Sequence, residues 1–187
     1  MNGKIDRASY RNRGGFFQRL VSLYKRKRYL SRCGGDLLCK RSVEFRLVEH
    51  AVIDVGRSVT IQDYAFFQLT MPAPKVIIGD NTVIGRRNII TAKGTITIGS
   101  DVLIGSDVQI IDHSHGIAKD RPIREQPAEL GSVTIEDDVW IGAGAKILMN
   151  SHIRRGAVIG SNAVVRGEIP EYAIAVGAPA RVVKYRE

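Results

Sequence analysis

An aliphatic residue returns at every sixth position along most of the chain, and that period leaves few folds open. One run reads Ile135, Ile141, Ile147, Ile153, Ile159 and Val165. An earlier run reads Ile78, Ile84, Ile90 and Ile96, and after a two-residue shift the beat resumes at Ile98, Ile104 and Ile110. A period of six fits neither the α-helix nor the two-residue alternation of a half-buried strand. A short fixed repeat of this kind predicts a β-solenoid, whose stacked coils bury one continuous core.

Glycine often follows the aliphatic residue, at Gly79, Gly85, Gly99, Gly105, Gly142 and Gly160, where it would supply turn dihedrals. The fifth position is small or β-branched, as at Thr82, Val102, Val108, Val139, Ala145, Ser151, Ala157 and Ala163. Two inward positions of different size per hexad describe the flat side and tight corner of a prism. A weaker beat runs through Leu37, Val43, Val55, Ile61 and Phe67. Glu49 occupies the slot between Val43 and Val55, and a charge seldom faces a core unpaired, so the first coil is expected to be irregular. Pro72 and Pro74 then mark a break.

The charge is unevenly placed. Residues 1–46 hold 13 Lys/Arg against 3 Asp/Glu, while residues 47–187 hold 15 against 16. The expected organisation is a basic arm over residues 1–46 and a solenoid over residues 47–187. Phe16, Phe17, Leu20, Val21, Leu23 and Tyr24 fall roughly on one helical face, followed by Lys25, Arg26, Lys27 and Arg28. That stretch is too short and too charged to span a bilayer and lacks the layout of a secretory signal. A cytoplasmic protein is expected. The arm would cap the open end of the solenoid, as terminal units of repeat proteins must, or lie on an anionic membrane face, and the two can coexist. No motif supports nucleic-acid binding. Cys33 and Cys39 are too few for a disulfide framework or a zinc site, and Cys33 beside Gly34 and Gly35 suggests a linker.

The beat stops after Ile110 and returns at Ile135. An insertion this long must leave the prism as an external loop, spanning residues 112–132, and long loops in compact domains are often functional. It opens with Asp112, His113 and His115. A histidine titrates near neutrality and suits general-base work.

At this point the chain resembles the hexapeptide-repeat acyltransferases, nearest to the galactoside, maltose and nodulation O-acetyltransferases and their relatives in surface-polysaccharide biosynthesis. The similarity rests on V-T-I-E-D-D-V-W-I-G-A-G-A-K-I-L at residues 133–148, V-I-G-S-N-A-V-V at residues 158–165, and E-I-P-E-Y-A-I-A-V-G-A-P-A-R-V-V-K at residues 168–184. The resemblance implies an all-β fold, a left-handed parallel β-helix with the loop extruded and a C-terminal tail at residues 168–187. It also implies acetyl-CoA as co-substrate, no metal, and a homotrimer. His115, five residues beyond Ile110, matches the catalytic histidine, and the backbone N–H of Ala143 matches the oxyanion donor. Asp112, His113, Arg87 and Asn88 fall where acceptor contacts are expected. Trp140, Ala143, Ser161, Arg166, Arg181 and Lys184 fall where CoA is held. Glu125 or Glu129 is expected to orient His115. The D-H-S-H-G form resembles the polysaccharide-modifying branch more than the galactoside branch, and this resemblance implies a sugar hydroxyl as acceptor, in surface polysaccharide or glycan biosynthesis. The alternatives are N-acetylation of an amino-sugar, a non-catalytic β-helix scaffold, and a three-histidine zinc enzyme. The last is disfavoured because His113 and His115 are two apart and His50 and His152 are remote.

Overall fold

The computed structural model describes residues 15–187. Among these residues one α-helix, α1 (Phe16–Tyr29), precedes twenty-three short strands. Twenty-one of them form three long sheets, which are the three faces of a parallel β-helix, and the other two form a separate hairpin. Face 1 carries β1 (Arg32–Cys33), β4 (Val52–Val55), β7 (Lys75–Ile78), β10 (Thr95–Ile98), β15 (Ser132–Ile135), β18 (Ser151–Ile153) and β21 (Glu168–Ile169). Face 2 runs from β2 (Leu37–Cys39) through β16 (Trp140–Ile141) and β19 (Val158–Ile159) to β22 (Ala173–Val176). The tail strand β23 (Arg181–Tyr185) returns antiparallel on its edge. Face 3 runs from β3 (Glu44–Leu47) through β9 (Ile89–Ala92) and β12 (Gln109–Ile111) to β20 (Val164–Val165).

The six-residue beat is one face plus one corner, and each aliphatic residue stacks on its counterpart in the next coil. On face 1, Val55 pairs with Ile78, Ile78 with Ile98, Ile98 with Ile135, and Ile135 with Ile153. All five are buried. These columns are the core, and their burial drives the coils together. The phase shift after Ile96 also has a local cause. Ile78 pairs with Ile98, twenty residues on, whereas Ile135 pairs with Ile153, eighteen on. The two extra residues, Lys93 and Gly94, lengthen the corner between β9 and β10.

The glycines serve a purpose other than the one expected. Those after the aliphatic residues do not carry the left-handed dihedrals. Positive φ falls two or three residues later, at Asn81, Arg87, Asp101, Asp107 and Asn162, mostly Asn and Asp, which tolerate that region best after glycine. Glycine is required by coil-to-coil contact instead. A Cβ on Gly79 would lie 2.5 Å from the carbonyl carbon of Gly99, and one on Gly142 would lie 2.6 Å from the nitrogen of Ser161.

Three expectations about the first coils are corrected. Strands begin at Arg32, so the coils start well before the boundary expected at residue 47, which would cut through β3. Gly34 and Gly35 form a corner of coil 1, packed on Arg57, and are not a linker. The sheets also run through the Pro72–Pro74 corner without a break, because β4 pairs with β7 on its far side. Glu49 avoids the core as anticipated, by lying exposed in a turn.

Helix α1 closes the open end of the stack with polar side chains. The Gln18 amide donates to the Cys39 carbonyl at 2.6 Å, and the Ser22 hydroxyl accepts the Cys39 N–H at 3.1 Å. Lys25 Nζ donates to the carbonyls of Lys40 (3.0 Å), Arg41 (2.9 Å) and Val43. These backbone groups have no further coil to pair with, so the helix satisfies donors and acceptors that burial would otherwise orphan. Tyr29 then stacks on Phe45, and Phe45 on Phe67.

Burial under this helix pushes the Cys39 thiol up to about 12, against a smaller opposing effect of Lys25. Thiolate is the reactive form, so the folded protein exposed to iodoacetamide at about pH 8 should alkylate Cys33 and spare Cys39. Mass spectrometry should find one label per folded chain and two after denaturation.

Candidate active site

The loop leaves the prism at the corner between faces 3 and 1. It is a hairpin, with β13 (His113–His115) antiparallel to β14 (Ala128–Leu130). Its base is closed where the Gly131 N–H donates to the Asp112 carbonyl at 2.9 Å. Gln126 organises the interior of the loop. Its amide donates to the carbonyls of Ala118 and Arg121, and its oxygen accepts the Ala118 N–H.

Asp112 anchors the whole hairpin. Its side chain is 0% exposed. Oδ1 accepts the Lys93 N–H at 3.0 Å and Oδ2 accepts the Gly94 N–H at 2.9 Å. The two residues that break the hexad phase therefore present the backbone donors that hold this carboxylate. Oδ1 also meets His113 Nδ1 at 2.9 Å, which fixes the ring and leaves Nε2 unconstrained by that contact. Asp112 is thus an internal anchor and a histidine orienter, not a direct acceptor contact. Asp112→Ala would orphan two backbone donors and release His113. The expected loss is about 2–4 kcal/mol in urea unfolding, with Asp112→Asn costing less because one oxygen remains.

His115 is exposed on the same strand and pairs across the hairpin with Ala128. Neither Glu125 nor Glu129 makes a hydrogen bond to it. Glu125 lies in a 3-10 turn, and Glu129 stands opposite Ser114. The carboxylate–histidine pair in this loop is Asp112–His113, and the nearby Lys93–Gly94 phase shift was its only trace in the sequence.

The remaining expected residues gather elsewhere. The corner between faces 2 and 3 stacks Arg86, Ser106, Ala143 and Asn162 through backbone bonds: Asp107 N–H to the Arg86 carbonyl, Gly144 N–H to the Ser106 carbonyl, and Asn162 N–H to the Ala143 carbonyl. Ala143 is exposed there, and among the described residues its N–H has no acceptor. Ser161 lies exposed beside it. On face 2, Trp140 is 56% exposed between Leu103 and Val158, and β23 brings Arg181 and Lys184 onto the same sheet. Arg166 separates from this group. It follows β20, on the edge between faces 3 and 1 that also carries the hairpin.

The acceptor-contact expectation for Asn88 is corrected. Asn88 is 1% exposed and points into the solenoid, where its Oδ1 accepts the Val108 N–H at 2.7 Å. It replaces a small apolar corner residue and cannot reach a ligand. Arg87 is exposed at the corner between faces 2 and 3, but its guanidinium is engaged by Asp107 through two bonds of 2.7 Å. That pairing holds the Asp107 carboxyl below its usual range. Within one chain, then, the histidines and the free Ala143 amide stand on different edges of the prism.

Residues 132–167 match the family of bacterial transferase hexapeptide repeats (six repeats). A probable acetyltransferase, Rv3034c of Mycobacterium tuberculosis, is 71% identical over 35 residues, which is 19% of this chain and 12% of the relative; the match spans only that small part of its length. A mutant of AntD, an N-acyltransferase from Bacillus cereus solved with dTDP and coenzyme A, superposes with a TM-score of 0.75 at 21% identity, over 88% of this chain and 89% of that one. The polySia-specific acetyltransferase NeuO superposes with a TM-score of 0.59 at 25% identity, over 83% and 78%. The hexapeptide-repeat acetyltransferase VCA0836 from Vibrio cholerae does so with a TM-score of 0.61 at 22% identity, over 98% and 94%. Hexad, coil stack and these likenesses converge on one fold, and over residues 132–167 the chain carries the bacterial transferase hexapeptide repeat.

Proposed function

We propose that the protein transfers an acetyl group from acetyl-CoA to a sugar hydroxyl in glycan or surface-polysaccharide synthesis. The observation that carries this reading is the pair of half-sites: a rigidly based histidine hairpin on one edge and an exposed, unpaired Ala143 amide on another. His115 takes the hydroxyl proton as the oxygen attacks the thioester carbonyl. The Ala143 N–H receives the oxyanion of the tetrahedral adduct. Collapse of the adduct expels the CoA thiolate, which recovers the proton from the histidinium. Among the described residues no serine or cysteine nucleophile with a paired base lies near the hairpin, which favours direct transfer.

His115 and Ala143 on separate edges meet only when a second subunit docks, which supports a trimer with sites between subunits. The outward column of face 2, with Val83, Leu103, Trp140, Val158 and Ile174, supplies apolar surface for that contact. Trp140, Ser161, Arg181 and Lys184 lie on this face or its edge and would line the CoA groove, their cations meeting its phosphates.

Two specific observations favour variants of this reading. The Asp112–His113 pair is an oriented dyad, so His113 is the second candidate base. AntD is an N-acyltransferase solved with dTDP-4-amino-4,6-dideoxyglucose and coenzyme A, so an amino-sugar is the second acceptor class.

The first test needs no acceptor. Acetyl-CoA at about 100 times its dissociation constant stabilises the fold by about 2.7 kcal/mol, which is roughly 5–10 °C in melting temperature for a domain this size. Arg181→Glu, on the exposed strand β23, should abolish the shift. No shift at millimolar acetyl-CoA would leave the scaffold reading standing. A panel of hydroxyl and amine sugars then separates O- from N-transfer.

A further inference from the structure

Helix α1 is mounted with its polar side inward. Gln18, Ser22 and Lys25 face the first coil, and Ser22 and Lys25 are buried there. At 100° per residue the opposite side of the helix carries Phe16, Phe17, Leu20, Leu23 and Tyr24. These five are exposed, Phe16 at 79% and Phe17 at 64%. An ordinary surface helix does the reverse and turns its apolar stripe to the core. Capping the solenoid therefore accounts for one side of α1 and leaves an apolar side in solvent.

The charge around that side identifies its partner. Arg19, Arg26, Lys27 and Arg28 are exposed on α1, and the helix holds no acidic residue. Upstream, Lys4, Arg7, Arg11 and Arg13 add positive charge against Asp6 alone. An apolar stripe edged with cations matches an anionic lipid surface, where rings and leucines enter the headgroup boundary and the cations meet phosphates. No helix among the described residues is long and apolar enough to cross a membrane. We infer that α1 docks the end of the solenoid onto an anionic bilayer through Phe16, Phe17, Leu20, Leu23 and Tyr24.

Vesicle flotation with the full chain tests this. Protein should float with phosphatidylcholine vesicles containing about 30 mol% phosphatidylglycerol, should not float with phosphatidylcholine alone, and should lose most binding in about 0.5 M salt. The variant Phe16→Ser, Phe17→Ser, Leu20→Ser should lose flotation while keeping Cys39 protected from alkylation, which reports that the polar side of α1 remains docked. Lys27→Glu with Arg28→Glu should weaken binding by more than tenfold, since each cation near the surface contributes about a fivefold factor. Failure of the native protein to float with the anionic vesicles would overturn the inference. So would equal flotation of the triple-serine variant. A fall in oligomer mass in that variant, with no vesicle binding by the native chain, would instead assign the face to a second copy.

Discussion

Substitution of His115 by alanine should lower turnover by about 10²–10⁴-fold, the range for removing a general base, with the melting temperature unchanged. The side chain is exposed and makes no hydrogen bond among the described residues, so its removal costs the fold little. His113→Ala should behave differently. Its ring is tied to buried Asp112, so its loss should change acceptor KM and lower kcat by a smaller factor. The ratio of the two losses, from steady-state kinetics with one acceptor, assigns the base. A larger loss at His113 would transfer the role to the Asp112–His113 dyad. The acetyl-CoA thermal shift should persist in both variants, because neither histidine stands on the face that carries Arg181 and Lys184.

The core was legible because stacking converts register directly into periodicity. Every aliphatic residue that pairs with its counterpart one coil away lies a multiple of six from its neighbours unless a corner lengthens. The loop was legible as an interruption of that beat. The chemistry inside it was harder to read, because it depends on contacts between coils. Nothing in the residue types announces that Lys93 and Gly94 offer their amides to Asp112; only the two-residue slip recorded that the corner was special. Asn88 misled for the related reason that a polar residue in a hexad reads as a surface group. Here it fills a corner position inside the prism and bonds to the Val108 amide. The glycines misled through a plausible but incomplete account of their role. Their spacing was right, but the constraint is the approach of the next coil rather than backbone sign. For α1 the pattern showed an amphipathic helix without showing which side faces the protein. Propensity is silent on that choice, and the unpaired backbone of coil 1 decided it in favour of the polar side.

Mixing two inactive variants should restore activity. Ala143→Glu places a carboxylate where the oxyanion forms, on an exposed corner that tolerates the side chain, and should be as inactive as His115→Ala. In homogeneous oligomers of either variant every site is defective. Suppose a site takes its histidine from one subunit and its amide from the next, the arrangement proposed above. Random assembly from an equal mixture then leaves about one site in four with both groups intact. Co-expressed or co-refolded mixtures should therefore reach about a quarter of native activity, against a background near zero. Stoichiometry gives the measurement a second axis. The restored fraction follows the product of the two subunit fractions, so it peaks at equal amounts and vanishes at either extreme. Were both groups supplied by one chain, no mixture would exceed the sum of its parts. Such an outcome would require the hairpin to swing from the edge between faces 3 and 1 to the edge between faces 2 and 3. The Asp112 anchor opposes that motion, because its carboxylate is bonded to the Lys93 and Gly94 amides of the preceding coil while its carbonyl closes the hairpin's base on the Gly131 N–H.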